Sequence, residues 1–138
     1  MKWLGPAAVG VIGALVVSSA QAQDVGAGER LFKRHCGICH IAEKDSTRRL
    51  QGPNLFGLVG RKAGTFEGFR YSEANKNSGI VWTPETLEPY LADPRGVIKG
   101  TTMAFVGVKK PDERKAIIEY LAEKYGKDAA GDLANLQP

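Results

Sequence analysis

Cys36-Gly37-Ile38-Cys39-His40 is the stretch on which the reading of this chain turns. Two thiols three positions apart can add to the two vinyl groups of one haem, and the imidazole beside the second can reach its iron. Other chemistries use the same letters. A disulfide needs only the two cysteines, a zinc half-site needs two further ligands, and a thioredoxin-like redox pair needs strands alternating with helices. There is no third cysteine, and the only other histidine is His35, so zinc is short of donors. No strand-like alternation of useful length occurs, which weighs against the redox pair. A covalently attached haem with His40 on its iron is the expectation, with disulfide chemistry as the remaining alternative.

The second axial ligand decides between gas or peroxide binding and electron transfer. Apart from Met1, the chain's only methionine is Met103, in the turn-forming run Lys99-Gly-Thr-Thr-Met103-Ala-Phe105. A lone methionine is usually core filler. Here the haem motif and the polar loop reverse that reading, and Met103 is the expected sulfur ligand.

The remaining composition is that of one globular domain: 138 residues, 43% apolar. Its first 22 residues differ in kind. Lys2 precedes an apolar run from Trp3 to Val17, followed by the small residues Ala20 and Ala22. This pattern predicts a secretory signal peptide, residues 1–22, cleaved after Ala22, and a periplasmic protein. An uncleaved anchor is the alternative, but the run is shorter than the roughly 20 apolar residues a span needs. Without Lys2 the chain keeps 18 basic against 15 acidic side chains. That small excess, without interleaved aromatic residues, does not argue for nucleic acid. A basic docking face for an acidic partner is compatible with it.

Helix signals are clear in places. Asp24 is a candidate cap for a helix with Gly28, Leu31, Phe32 and Cys36 on one face. Residues 41–70 are rich in glycine and charge and read as a long ordered loop, which a large buried cofactor would organise. A short helix is expected at Tyr71–Lys76. Another starts at Thr83-Pro84-Glu85, with Thr83 as cap, and is bent or shortened by Pro89. A second loop, Pro94–Val108, precedes a helix opened by Pro111, with Ile117, Ile118, Leu121 and Tyr125 on one face and Gly126 as its terminator. Residues 127–138 read as a loosely ordered C-terminal tail, leaving 23–126 as the domain. The expected class is all-α, three to five helices and long loops around one haem.

Several separated segments together resemble the class I c-type cytochromes, specifically the mitochondrial cytochrome c and bacterial cytochrome c2 group. They are Cys36–His40, Gly52-Pro-Asn-Leu-Phe-Gly57, Gly60-Arg-Lys62, Tyr71–Asn77, Gly79-Ile-Val-Trp82, Tyr90-Leu91 and Gly100-Thr-Thr-Met103. The resemblance implies the cytochrome c fold and one haem c, its iron held by His40 and Met103 and its ring attached through Cys36 and Cys39. It further implies that the Pro53 carbonyl accepts from the His40 ring, and that Arg61, Tyr71 and Trp82 serve the haem propionates. Asn75, Tyr90 and Thr101 match a polar network beside the methionine, and Phe105 matches a residue shielding the haem edge. Gly28 and Phe32 of the first helix are expected against Ile117 and Tyr120 of the last.

The function implied is that of a monomeric, non-enzymatic single-electron carrier. Its donor would be a cytochrome bc1-type complex and its acceptor an oxidase, reductase or photosynthetic reaction centre. Lys33, Lys62, Arg95, Lys109 and Lys110 are the candidate docking cations. His35, Gly96 and Thr102 stand where mitochondrial members carry lysines, which weakens that face, and Lys99 stands where a proline is usual. The rival class is a haem peroxidase or gas sensor with a displaceable Met103.

Overall fold

In the computed structural model the backbone is described over residues 20–133 and the side chains over 26–122. Residues 1–19, most of the expected leader, lie outside the described residues, as do 134–138. Among the described residues the chain forms five helices: α1 (Ala20–His35), α2 (Glu73–Lys76), α3 (Pro84–Ala92), α4 (Pro94–Val97) and α5 (Pro111–Leu133). None of them is long and apolar enough to cross a membrane. The only strand-like pairing described is an isolated antiparallel bridge between Lys62 and Val81.

Helices α1 and α5 pack against each other and form the main joint of the fold. Their crossing depends on Gly28. A Cβ there would run into the Ala116 carbonyl and lie 2.7 Å from Tyr120 Cβ, so only a residue without a side chain permits this approach. One turn on, Phe32 sets its ring 5.5 Å from that of Tyr120. Ile117 and Leu121 are almost entirely withdrawn from water beside them. Each such side chain contributes roughly 1.5–3 kcal/mol on burial.

Polar ties fasten the remaining pieces. Arg114 of α5 is buried; its Nε donates to Glu88 of α3 at 2.8 Å, and its Nη1 donates to the carbonyls of Val108 and Lys109 at 2.9 and 3.0 Å. His35 at the end of α1 meets Glu113 at the start of α5, Nε2 to Oε2 3.1 Å. Thr83 and Thr86 cap α3 reciprocally, each hydroxyl accepting from the other's backbone N–H. Residues 41–70 form no helix and are held by backbone bonds, among them Gly60 N–H to the Trp82 carbonyl, 2.7 Å, and Ala63 N–H to the Ile80 carbonyl, 2.8 Å.

Four boundaries differ from expectation. Asp24 is interior to α1 and not its cap, because Ala20-Gln21-Ala22-Gln23 are good helix formers and carry the helix upstream. The short helix opens at Glu73, with Ser72 as its cap. The expected loop at 94–108 contains α4, because the Asp93 side chain accepts from Gly96 N–H and Pro94 takes the first helical position. Gly126 does not end α5, which runs to Leu133, so the expected tail begins inside a helix. One glycine costs about 1 kcal/mol against alanine in a helix interior, too little to stop a helix whose following residues include Lys127, Ala129 and Ala130. Pro89 lies inside the nine-residue α3, which ends three residues beyond it.

Candidate functional site

A cavity of about 190 Å³ opens between the end of α1, the 51–71 loop, α2, α3 and the 101–105 segment. One water needs only roughly 10–15 Å³ on this measure, so the space suits a far larger group. All twelve residues expected at the haem are on its wall: Cys36, Cys39, His40, Pro53, Arg61, Tyr71, Asn75, Trp82, Tyr90, Thr101, Met103 and Phe105. They come from separate parts of the chain, and the fold alone brings them together.

Helix α1 delivers the first group. Its last turn tightens as the Cys36 and Gly37 amides both donate to the Phe32 carbonyl, and the His40 amide donates to the Cys36 carbonyl at 2.8 Å. This coil brings both thiols and the imidazole onto one wall. Burial, with a smaller push from Cys39, raises the Cys36 thiol to about 12. A reactive redox cysteine needs the opposite shift, so the environment disfavours the thioredoxin-like alternative. Among the described residues no group of three or more histidine, cysteine, aspartate or glutamate side chains could hold a metal ion. Besides His35, whose Nε2 meets Glu113, the donors on the wall are two thiols, the His40 imidazole and one thioether, which fits a ring-borne iron needing only two protein ligands.

His40 is held on two sides. Its Nδ1 lies 2.8 Å from the Pro53 carbonyl oxygen. A carbonyl only accepts, so Nδ1 carries the proton and Nε2 keeps its lone pair for a ligand. Burial lowers the imidazole pKa, with the Pro53 bond opposing it less strongly, which keeps the ring neutral at neutral pH. On the other side Gly52 gives the ring room. A Cβ there would lie 2.6 Å from Nδ1 and 2.8 Å from Nε2.

Met103 sits across the cavity wall in an irregular segment. Its N–H donates to Thr101 Oγ1 at 3.2 Å, and its sulfur accepts from the Tyr90 hydroxyl at 3.3 Å. Tyr90 also hydrogen-bonds with Thr101 and Asn75, while burial raises its pKa overall. Buried Asn75 is itself fixed by Ser72, whose hydroxyl lies 2.9 Å from Asn75 Oδ1. Behind them the Trp82 and Tyr90 rings stand 4.6 Å apart.

Arg61 and Tyr71 occupy a third side. Arg61 Nη1 and Nη2 donate to the carbonyls of Phe56 and Asn54 at 2.9 and 3.1 Å, and its guanidinium lies 4.9 Å from the Phe66 ring centre. Burial lowers the Arg61 pKa and raises that of Tyr71; each is the other's opposing charge partner. A half-buried cation held beside a phenol can offset an acidic group entering from the cavity.

The wall also contains residues not singled out from sequence. Gln51 Oε1 lies 3.6 Å from Cys39 Sγ, and Leu55, Leu58, Phe69, Leu87 and Leu91 supply apolar surface. Leu87 and Leu91 are four apart on α3, so helical spacing was their available signal. Of the expected docking cations, Lys33 pairs with Glu29 at 3.0 Å, Lys110 with Glu113 at 3.3 Å, and Lys109 donates to the Ala92 carbonyl at 3.1 Å.

The cytochrome c family model matches residues 25–124. The chain is 48% identical to cytochrome c type-1 of Ascaris suum over 101 residues, 73% of this chain and 88% of that protein. It is also 48% identical to cytochrome c 2.1 of Caenorhabditis elegans over 105 residues, 76% and 93% of the two chains. With cytochrome c of Chlamydomonas reinhardtii it shares 46% over 106 residues, 77% and 94%. These relatives correct the expected localisation. They come from nematodes and an alga, eukaryotes whose cells have no periplasm, and the reading of a periplasmic protein exported on a cleaved leader is withdrawn.

Proposed function

Because the chain belongs to the cytochrome c family, with the all-α fold, the single covalent haem c and the electron-carrying role of that family, we propose that it shuttles electrons from a cytochrome bc1-type quinol-oxidising complex to a terminal oxidase or reductase. When bound, the haem supplies a centre that takes up and releases one electron.

In this reading Cys36 and Cys39 would hold the haem through thioether links, and His40 and Met103 would supply the nitrogen and the sulfur for its iron. The observation that carries it is the placement of all four side chains on the wall of one cavity, with the His40 ring fixed by Pro53 and the Met103 sulfur met by Tyr90. Ligands held this firmly change little between oxidation states, which keeps reorganisation small. Arg61, Tyr71 and Trp82 would serve the haem propionates, Asn75, Tyr90 and Thr101 would hold Met103 in place, and Phe105 would shield the haem. Leu55, Leu58, Leu87 and Leu91 exclude water. A low-dielectric surrounding and a sulfur ligand both favour the ferrous form and raise the potential.

Docking uses Lys33, Lys62, Arg95, Lys109 and Lys110 on an acidic partner surface. Three of these are already engaged within the molecule, so steering is modest and screened by salt. The test is stopped-flow reduction of the holoprotein by a bc1-type complex supplied with quinol. Rapid reduction that slows as ionic strength rises is expected. Absence of reduction beyond the rate with quinol alone rejects the proposed donor, and a flat salt dependence rejects the charged docking face.

A further inference from the structure

The chain has two histidines. His40 belongs to the haem site, its Nδ1 on the Pro53 carbonyl. That leaves His35, and histidine is the side chain whose ordinary pKa, about 6.5, puts a change of charge between pH 5 and pH 8. His35 closes α1 one residue before Cys36 and lines the haem cavity. Its side chain is partly exposed, so protons reach it.

Glu113 fixes which proton moves. His35 Nε2 lies 3.1 Å from Glu113 Oε2, and the other carboxylate oxygen accepts from Lys110 Nζ at 3.3 Å. Hydrogen bonds from Lys110 and then from His35 hold the Glu113 carboxyl below its ordinary value, so it is ionised at neutral pH and only accepts. Nε2 therefore keeps its hydrogen in both states of the ring, and the proton gained or lost is the one on Nδ1. The contact survives the titration, but the charge does not. With the proton, His35, Glu113 and Lys110 together carry one net positive charge; without it the three cancel.

The side chains around the pair keep their charge over the same range. On α1 the neighbours are exposed Lys33, tied to Glu29, and exposed Arg34. Asp112 and Arg114 flank Glu113, and Lys109 precedes Lys110. The cavity wall adds Arg61, Tyr71 and Tyr90, and burial raises both phenols. Ordinary values for these types lie well below pH 5 or above pH 8, and thioether-linked Cys36 and Cys39 do not titrate.

We propose that His35 is a proton-gated docking residue. Protonated, it adds positive charge beside the haem cavity and speeds encounter with an anionic redox partner. Deprotonated, it withdraws that charge, and encounter slows as pH rises through the imidazole range. The gate rests on the charged docking face proposed above.

The test follows oxidation of the ferrous holoprotein by two small complexes, the anion hexacyanoferrate(III) and the cation tris(phenanthroline)cobalt(III). Parent, His35→Gln and His35→Lys are compared at low ionic strength from about pH 5 to about pH 8. Rates are taken relative to the permanently charged His35→Lys, which cancels the pH dependence of haem and reagent. On that scale the parent's rate with the anion should fall roughly twofold or more as pH rises, and its rate with the cation should climb. His35→Gln should hold the parent's high-pH ratio throughout. The His35 ring resonances of the holoprotein should titrate in the NMR spectrum over the same range, and unchanged haem spectra report an intact fold in the variants. The same pH trend in all three proteins, or ring resonances that do not titrate between these limits, would overturn the proposal. A bc1-type complex supplied with quinol separates the gate from the donor reading. If it reduces none of the three proteins while the two small complexes show opposite trends, the donor is wrong and the gate stands. If it reduces all three alike at every pH, and the small complexes are also indifferent to the substitutions, the donor stands and the gate is rejected.

Discussion

The Tyr90 hydroxyl donates to the Met103 sulfur at 3.3 Å. In the proposed site this bond withdraws electron density from the sulfur and so favours ferrous iron. Tyr90→Phe removes it without changing the ring that packs on Trp82. The reduction potential is expected to fall by tens of millivolts, since one hydrogen bond is worth roughly 0.5–1.5 kcal/mol. A redox titration of parent and variant measures this, and an unchanged or raised potential would count against the role given to Tyr90.

Replacing Met103 by alanine takes away the proposed sulfur ligand altogether. The potential should drop far more than in Tyr90→Phe, and the optical band assigned to sulfur-ligated ferric iron should vanish. The holoprotein's spectrum and titration decide it. If both match the parent, Met103 is not a ligand.

Gly52→Ala tests how tightly the His40 ring is seated. The new Cβ would lie 2.6 Å from Nδ1, so the ring must tilt away and its bond to Pro53 must weaken. Overpacking of this kind costs about 1–3 kcal/mol. Urea denaturation should show a lower midpoint with an unchanged slope, and the His40 ring resonances should move in the NMR spectrum. A variant as stable as the parent would mean that the loop yields without affecting the ring.

Arg114→Met leaves Glu88 and the carbonyls of Val108 and Lys109 without their donor. Charge-assisted hydrogen bonds contribute about 1.5–3 kcal/mol each, and their losses are not additive. A destabilisation of about 2–3 kcal/mol is expected from denaturant midpoints, with little change in potential because Arg114 is not on the cavity wall. A large potential shift would contradict that separation.

Glu113 titrates below its ordinary value, chiefly through the hydrogen bond from Lys110 and then through His35. A lowered folded-state pKa stabilises the fold fully above the unfolded value of about 4.3, and that contribution disappears as pH falls through the folded value. Glu113→Gln should therefore lose less stability than the parent between about pH 5 and pH 3. Parallel acid-side denaturation curves for the two proteins would exclude this contribution.

Elements with local signals were legible in the sequence. Thr83 and Pro84 announce α3 because capping chemistry is confined to one turn, and Cys36–His40 announces its own geometry. Boundaries set by weak preferences were not. Gly126 and Asp24 carry small local penalties or gains, and the helices run past both. The pairing of Arg114 with Glu88 was hidden for another reason, since the residues are 26 apart and nothing in their spacing marks them as partners. At the cavity, residues belonging to recognisable segments were anticipated, whereas Gln51 and Phe69 lie in loop stretches without period and become visible only when the chain closes around the space.

The Gly28 contact places the first described helix against the last. A chain emerging from the ribosome therefore has its opening apolar stripe, with Phe32, uncovered until Ile117 and Tyr120 have been synthesised. Premature termination anywhere before α5 leaves a product without its main joint, while a proteolytic nick in the glycine-rich connection between the thiols and α2 leaves both halves of that joint present and able to stay associated.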